Sequence, residues 1–218
     1  MPPPRIHTQT TSVVLGGSFN PRIFEPLWFS RNELVPPQEA NEAEVQLINR
    51  EFCHVSFGWV ELVALEDRLQ VETTSETVND GQIRDLLVGV LRLLPHTPIK
   101  VGSIHHRAEV AIASEEEWHN VGHALAPKEL WEGVLDKPGM FDFAMQGVRP
   151  DELEGAIKVR IQPSQVVRPG IFLNVNDEFL MPSADEGADA AELLDGLWPD
   201  AESRALEIRS KLLERLVP

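Results

Sequence analysis

The sequence predicts an α+β protein. Two similar β-α-β-β-β-α halves would join their strands in one curved, mainly antiparallel sheet, with the helices packed on one face. Three observations lead there. Between Gln82 and Leu94, the residues Ile83, Leu86, Leu87, Val90, Leu91 and Leu94 recur at spacings of three and four, which gives a helix one broad apolar face. The next stretch, Ile99 to Ile112, is rich in branched residues and alternates as a strand does. On either side of this seam the elements come in the same order: strand, helix, three strands, helix. The duplication is one of element order only, since no residue-level repeat accompanies it.

Taken in order, residues 1–11 read as a flexible, proline-rich N-terminal arm, 12–97 as the first half, and 98–218 as the second half with an acidic helical end. Ser12 to Phe19 is a short buried strand ending in glycines, broken by Asn20-Pro21. Ile23, Leu27, Trp28 and Leu34 suggest a short helix with Pro26 in its first turn, where proline is tolerated, and Pro36-Pro37 at its end. Val45 and Leu47 alternate within Glu44 to Asn49. Phe52 to Leu65 reads as one strand with a bulge at Gly58. Leu69, Val71 and Thr73 alternate with polar residues after a turn at Glu66 to Arg68. Asp80 caps the seam helix, and Pro95 and Pro98 stop it.

In the second half, Ser114 and Glu117 form a capping box for a helix from Glu115 to about Ala126, which Pro127 ends. A connection, Lys128 to Gly139, would tuck Leu130, Trp131 and Leu135 inward. Met140 to Gln146, Ala156 to Gln162 and Ile171 to Val175 read as strands. A final helix, about 188–216, would break or kink at Pro199, with Leu206, Leu212, Leu213 and Leu216 near one face. In shape alone, the arrangement resembles the saddle-like folds of the TATA-binding-protein type.

Charge narrows the function. The 35 acids outweigh the 19 bases, and the resulting net charge of −16 opposes binding to phosphate backbones and anionic membranes. It suits a basic protein partner. Cys53 is the one cysteine, so no internal disulfide forms and a reducing, cytoplasmic setting is expected. The start has no apolar segment of a signal peptide, and no run approaches the ~20 apolar residues of a membrane span.

Four stretches carry candidate chemistry. Gly16-Gly17-Ser18-Phe19-Asn20-Pro21 resembles the opening signature of the nucleotidylyltransferases, in which such a turn leads into a His-x-Gly-His pair that binds nucleotide phosphates. Here the following residues are Arg22, Ile23, Phe24, Glu25 and Pro26, so the imidazoles are missing and a tight strand-to-helix turn is the plainer reading. His119 and His123 lie four apart on one helix face, a spacing that suits a metal, with Asn120 where a metalloprotease has its glutamate. On the seam strand, His105 and Arg107 share a face, while His106 points the other way. With Ser18 and Arg22 they make a candidate small-anion site. Finally, the acids of 177–202 include Asp185, Glu186, Asp189, Glu192 and Asp195, without a lysine or arginine among them. Phe179, Leu180, Met181, Leu197 and Trp198 lie between them as expected anchors for a partner.

Taken together, these features predict a non-enzymatic protein-binding module, a subunit or an acidic neutraliser of a basic toxin or nuclease, which could also self-associate. Its interface would be the open sheet face or the acidic C-terminal region. No cofactor is expected. The alternative is a small-anion or nucleotide-binding enzyme with its site at the Gly16 to Pro21 turn.

Overall fold

The computed structural model describes residues 5–74, 80–181 and 187–217. The first part of the chain forms β1 (Arg5–Gly17), α1 (Pro26–Arg31), α2 (Pro37–Glu42), β2 (Glu44–Ile48), β3 (Phe52–Ser56), β4 (Val60–Leu65), β5 (Arg68–Thr73) and α3 (Asp80–Leu93). The rest forms β6 (Ile99–Ala111), α4 (Glu115–Leu125), β7 (Phe143–Val148), β8 (Gly155–Pro163), β9 (Gly170–Leu180) and α5 (Gly187–Leu216). The nine strands make one sheet in the order β2-β3-β4-β5-β1-β6-β9-β8-β7. Every neighbouring pair is antiparallel. The fold is therefore mixed α+β with an antiparallel sheet.

Alternation decides which face of the sheet is covered. Val13 and Leu15 of β1, Leu69 and Val71 of β5, Ile104 and Ala108 of β6, and Leu173 and Val175 of β9 are all buried on the same side. Their partners in the core come from the helices: Phe29 of α1, Leu87 and Leu91 of α3, Val121 of α4, and Leu194 and Trp198 of α5. All five helices thus cover one face, and the other face is left open. Each fully buried Leu, Ile or Phe contributes about 1.5–3 kcal/mol, so the covered face holds the fold together.

The seam helix α3 follows its sequence pattern, with Ile83, Leu86, Leu87, Val90 and Leu91 buried. Val88 is buried as well, and a Cβ on Gly89 would stand 2.4 Å from Leu34 Cδ2. That flank of the helix is therefore closed by the segment after α1. The Ser114 side chain caps α4, accepting from the Glu117 amide at 3.1 Å.

Several expectations need correction. Residues 5–11 are not an arm. They extend β1 along β6, and Thr8 and Thr10 lack an apolar signal because they stand on the open face. Gly58 is the turn of a β3–β4 hairpin, with φ +83, and not a bulge in one strand. Pro37 starts α2 instead of ending a helix. Leu130, Trp131 and Leu135 are exposed. β7 begins at Phe143, and β9 continues to Leu180, past the expected end at Val175. α5 runs unbroken through Pro199. Burial of Leu194, Trp198, Ala201 and Ala205 on both sides of that proline outweighs its cost of about 3 kcal/mol.

Candidate binding face

The open face is ordered by strand register. Glu44, Ser56, Glu61, Glu72, Ser12, His105, Asn176, Lys158 and Gln146 lie opposite one another in turn, one from each strand, in a single row across the sheet. Every member is polar. Its charges are largely answered on the same face. Glu61 pairs with His54. Arg107 donates to Glu72 at 2.5 Å, and Lys158 to Glu178 at 2.6 Å.

The middle of the row is different. Asn174 Nδ2 donates to His105 Nδ1 at 3.2 Å, so His105 carries its proton on Nε2 and donates to Ser103 Oγ at 3.1 Å. Ser103 Oγ lies 3.5 Å from the Val14 carbonyl. Burial pushes the His105 pKa down to about 4, and the neighbouring Arg107 guanidinium pushes the same way. On this face four buried polar atoms have no hydrogen-bond partner among the described residues: Ser12 Oγ and Asn176 Oδ1 opposite His105, Asn174 Oδ1 opposite Arg107, and Glu109 Oε2 four residues along β6. Leaving a buried polar group unpaired costs about 1–3 kcal/mol. All four accept hydrogen bonds, and three of them can do nothing else. Beside them a hollow of ≈ 280 Å³ is lined by Thr8, Thr10, Glu72, Arg107, Glu109 and Phe172, with Val166 of the β8–β9 connection at its margin. Chemically, this region is arranged to receive N–H and O–H donors.

The residues singled out from the sequence fall in separate places. His105 and Arg107 do share the open face. Ser18 lies beyond the far end of β1, six residues past the partner of His105, which is about 20 Å along a strand. Ser18 and Arg22 are exposed there, and the four do not converge. The turn itself has its amides occupied. Gly17 N donates to Asp67 O, Ser18 N to Pro98 O and Phe19 N to Glu66 O, so these amides cannot cradle a phosphate as a nucleotidylyltransferase turn would. Arg107, the other expected anion contact, is already held by Glu72.

His119 and His123 are exposed on α4, and His123 pairs with Glu129 at 3.0 Å. His119 lines a cavity of ≈ 170 Å³ with Trp118, Lys128, Lys137 and Met140. Among the described residues no three His, Cys, Asp or Glu side chains gather as metal ligands.

The acidic stretch is more interrupted than its sequence implies. Asp185 and Glu186 lie outside the described residues. Asp189 and Glu192 are exposed on α5, while Asp195 faces Arg84 at 3.5 Å and Arg92 at 3.9 Å from α3. Trp198, expected as a docking anchor, is 2 % exposed and belongs to the core, as do Phe179 and Met181. Asp177 is buried between Arg149 and Arg204, and Arg149 also grips Asp151 through Nε at 2.8 Å and Nη2 at 2.6 Å. The bases that answer Asp177 come from β7–β8 and from farther along α5, which a local reading of charge misses.

Ser12, Glu109, Asn174 and Asn176 were not among the residues singled out. One signal was present: Asn174 and Asn176 alternate with Leu173 and Val175, a polar stripe beside an apolar one. No helix among the described residues is long and apolar enough to cross a membrane. Neither a protein-family model nor a curated protein matches the chain.

Proposed function

We propose that this protein is a non-enzymatic module that binds a basic polypeptide on the open face of its sheet, around His105 and the hollow beside it. The observation that carries the reading is the cluster of buried, unpartnered acceptors: Ser12 Oγ, Asn174 Oδ1, Asn176 Oδ1 and the carboxylate oxygen of Glu109. Lysine, arginine and amide side chains supply the donors that these atoms lack, directly or through a bridging water. The net charge of −16 supports a basic partner and disfavours nucleic acid. The acidic helix is the weaker surface, because its aromatic anchors are in the core and Asp195 faces two arginines.

In this proposal the chain works in the cytoplasm as part of a complex; its two parts, 5–97 and 98–218, differ in order, with four strands between α2 and α3 against three between α4 and α5. Their first strands, β1 and β6, lie side by side at the centre of the sheet, so the partner would sit across the junction. The test is affinity capture from lysate at low salt. The wild-type chain is expected to recover a basic polypeptide that washes off as salt rises. Glu109→Lys should lose it with Tm unchanged, whereas lysines at Asp189, Glu192 and Asp195 should leave capture intact. Undiminished capture by Glu109→Lys, or no capture by the wild type, overturns the proposal.

A further inference from the structure

On the helix-covered side of the sheet, a cavity of ≈ 170 Å³ lies between α4, residues 128–140 and the facing ends of β8 and β9. Its apolar lining includes Trp118, Met140 and Ile171. Trp118 is fixed there, because its Nε1 donates to the Gly170 carbonyl at 2.8 Å. The charged and titratable lining is His119, Lys128 and Lys137, with no acid among the described residues. In a chain of 35 acids and 19 bases, a lining of bases alone is a local reversal of charge. Lys158 and Lys211 each have a carboxylate partner. Lys128 and Lys137 have none among the described residues, although Glu129 and Asp136 stand next to them in sequence. Glu129 is paired with His123 instead. Gly122 keeps the cavity open. It sits inside α4, where glycine weakens a helix relative to alanine. Nothing crowds it, since an added Cβ would meet only Met140 Cβ, at an ordinary 3.9 Å. Contact does not require glycine here, and the space a larger side chain would take is the cavity.

We infer that this cavity binds a small aromatic carboxylate, with its ring against Trp118 and Met140 and its charge answered by Lys128 and Lys137. The volume sets the size, since an apolar cavity of about 150 Å³ takes up one benzene ring. The lysines set the sign of the charge, and they repel a metal cation from His119. The net charge of −16 favours a ligand with one negative charge over a phosphate ester with two. An apolar wall with a few polar groups that fix orientation is the usual make-up of a small-molecule site.

Heteronuclear NMR titration of the full chain with benzoate tests this. The Trp118 indole and the Gly122 and Gly139 amides are expected to shift saturably, with affinity falling as salt rises. Benzyl alcohol has the same ring without the charge, and should bind at least about tenfold more weakly. Lys128→Met combined with Lys137→Met keeps both aliphatic stems, so Tm should hold while the preference for benzoate over benzyl alcohol disappears. Gly122→Leu should fill the cavity and block both ligands, with Tm unchanged or raised. The absence of a saturable shift with benzoate overturns the inference. So does a benzoate preference that survives the two methionines, binding that survives Gly122→Leu, or phenyl phosphate binding more tightly than benzoate. None of these outcomes depends on whether the open face, on the other side of the sheet, binds a basic partner.

Discussion

His105 couples the open face to pH. Unfolded, its imidazole takes up a proton near the ordinary value of 6.5; folded, it does so only near 4, because burial and the nearby Arg107 outweigh the opposing Asn174 contact and Glu178 charge. Between those values the unfolded chain binds more protons, so stability falls as pH drops from about 6.5 to about 4 and is flat in this respect below. The gap is worth about 3 kcal/mol. His105→Gln removes the titrating group while keeping a donor and an acceptor. Its Tm should decline less steeply than the wild type's across that window, and parallel curves would contradict the assignment. Cys53 makes a second point about buried chemistry. Its thiol bonds the Phe24 carbonyl at 3.4 Å, and burial, with Glu25 adding to it, pushes the pKa up to about 11. A thiol that protonated and enclosed should resist Ellman's reagent until the chain unfolds, and stoichiometric labelling under native conditions would refute this.

Elements with a complete local signal are those the sequence reveals. α3 carries its periodicity and lies where that periodicity requires. Leu87 is fully buried in it, so Leu87→Asp places a carboxylate in the core at a cost of at least about 5 kcal/mol. That is comparable to the whole stability of a typical domain, ~5–15 kcal/mol. Far-UV circular dichroism should show no cooperative unfolding transition for this variant. A cooperative melt near the wild-type Tm would mean the buried face is wrong. The seam strand and the capped α4 are legible for the same reason. What is not legible depends on partners far away in the chain. Thr8 and Thr10 look like arm residues until β6 lies beside them, and Phe179 looks exposed until β9 extends past Val175. Gly155 shows no local signal at all. Its φ is +145, and a Cβ added there would stand only 2.1 Å from the Glu178 carbonyl oxygen, because the chain packs closely against β9. The candidate site is hidden likewise: Ser12, Glu109, Asn174 and Asn176 come together only through cross-strand register, which one sequence does not reveal.

At the scale of the whole molecule, the covered face holds two apolar clusters, one centred on α3 and the other on the β8–β9 side. α5 contributes to both, with Ala201 in the first and Ala205 in the second. Between those two residues Arg204 reaches Asp177 of β9, which also accepts from Arg149. Arg149 packs over the Phe179 ring at 5.8 Å and is 5 % exposed. These charges tie the long helix to the sheet where the apolar clusters meet. A buried ion pair need not be worth more than a hydrophobic replacement, but deleting Arg204 leaves the buried Asp177 with Arg149 as its one remaining cation among the described residues. Arg204→Met should therefore cost about 1.5–3 kcal/mol in urea unfolding, more than the loss of an ordinary surface arginine. Adding Asp177→Asn removes the under-paired carboxylate, while Arg149 keeps Asp151 and the Glu178 carbonyl at 3.0 Å. The double variant should thus be more stable than the sum of the two single losses allows, by about 1–3 kcal/mol of coupling. Strict additivity would mean that Arg204 and Asp177 do not interact in solution, and that α5 is held on the sheet by its apolar face alone.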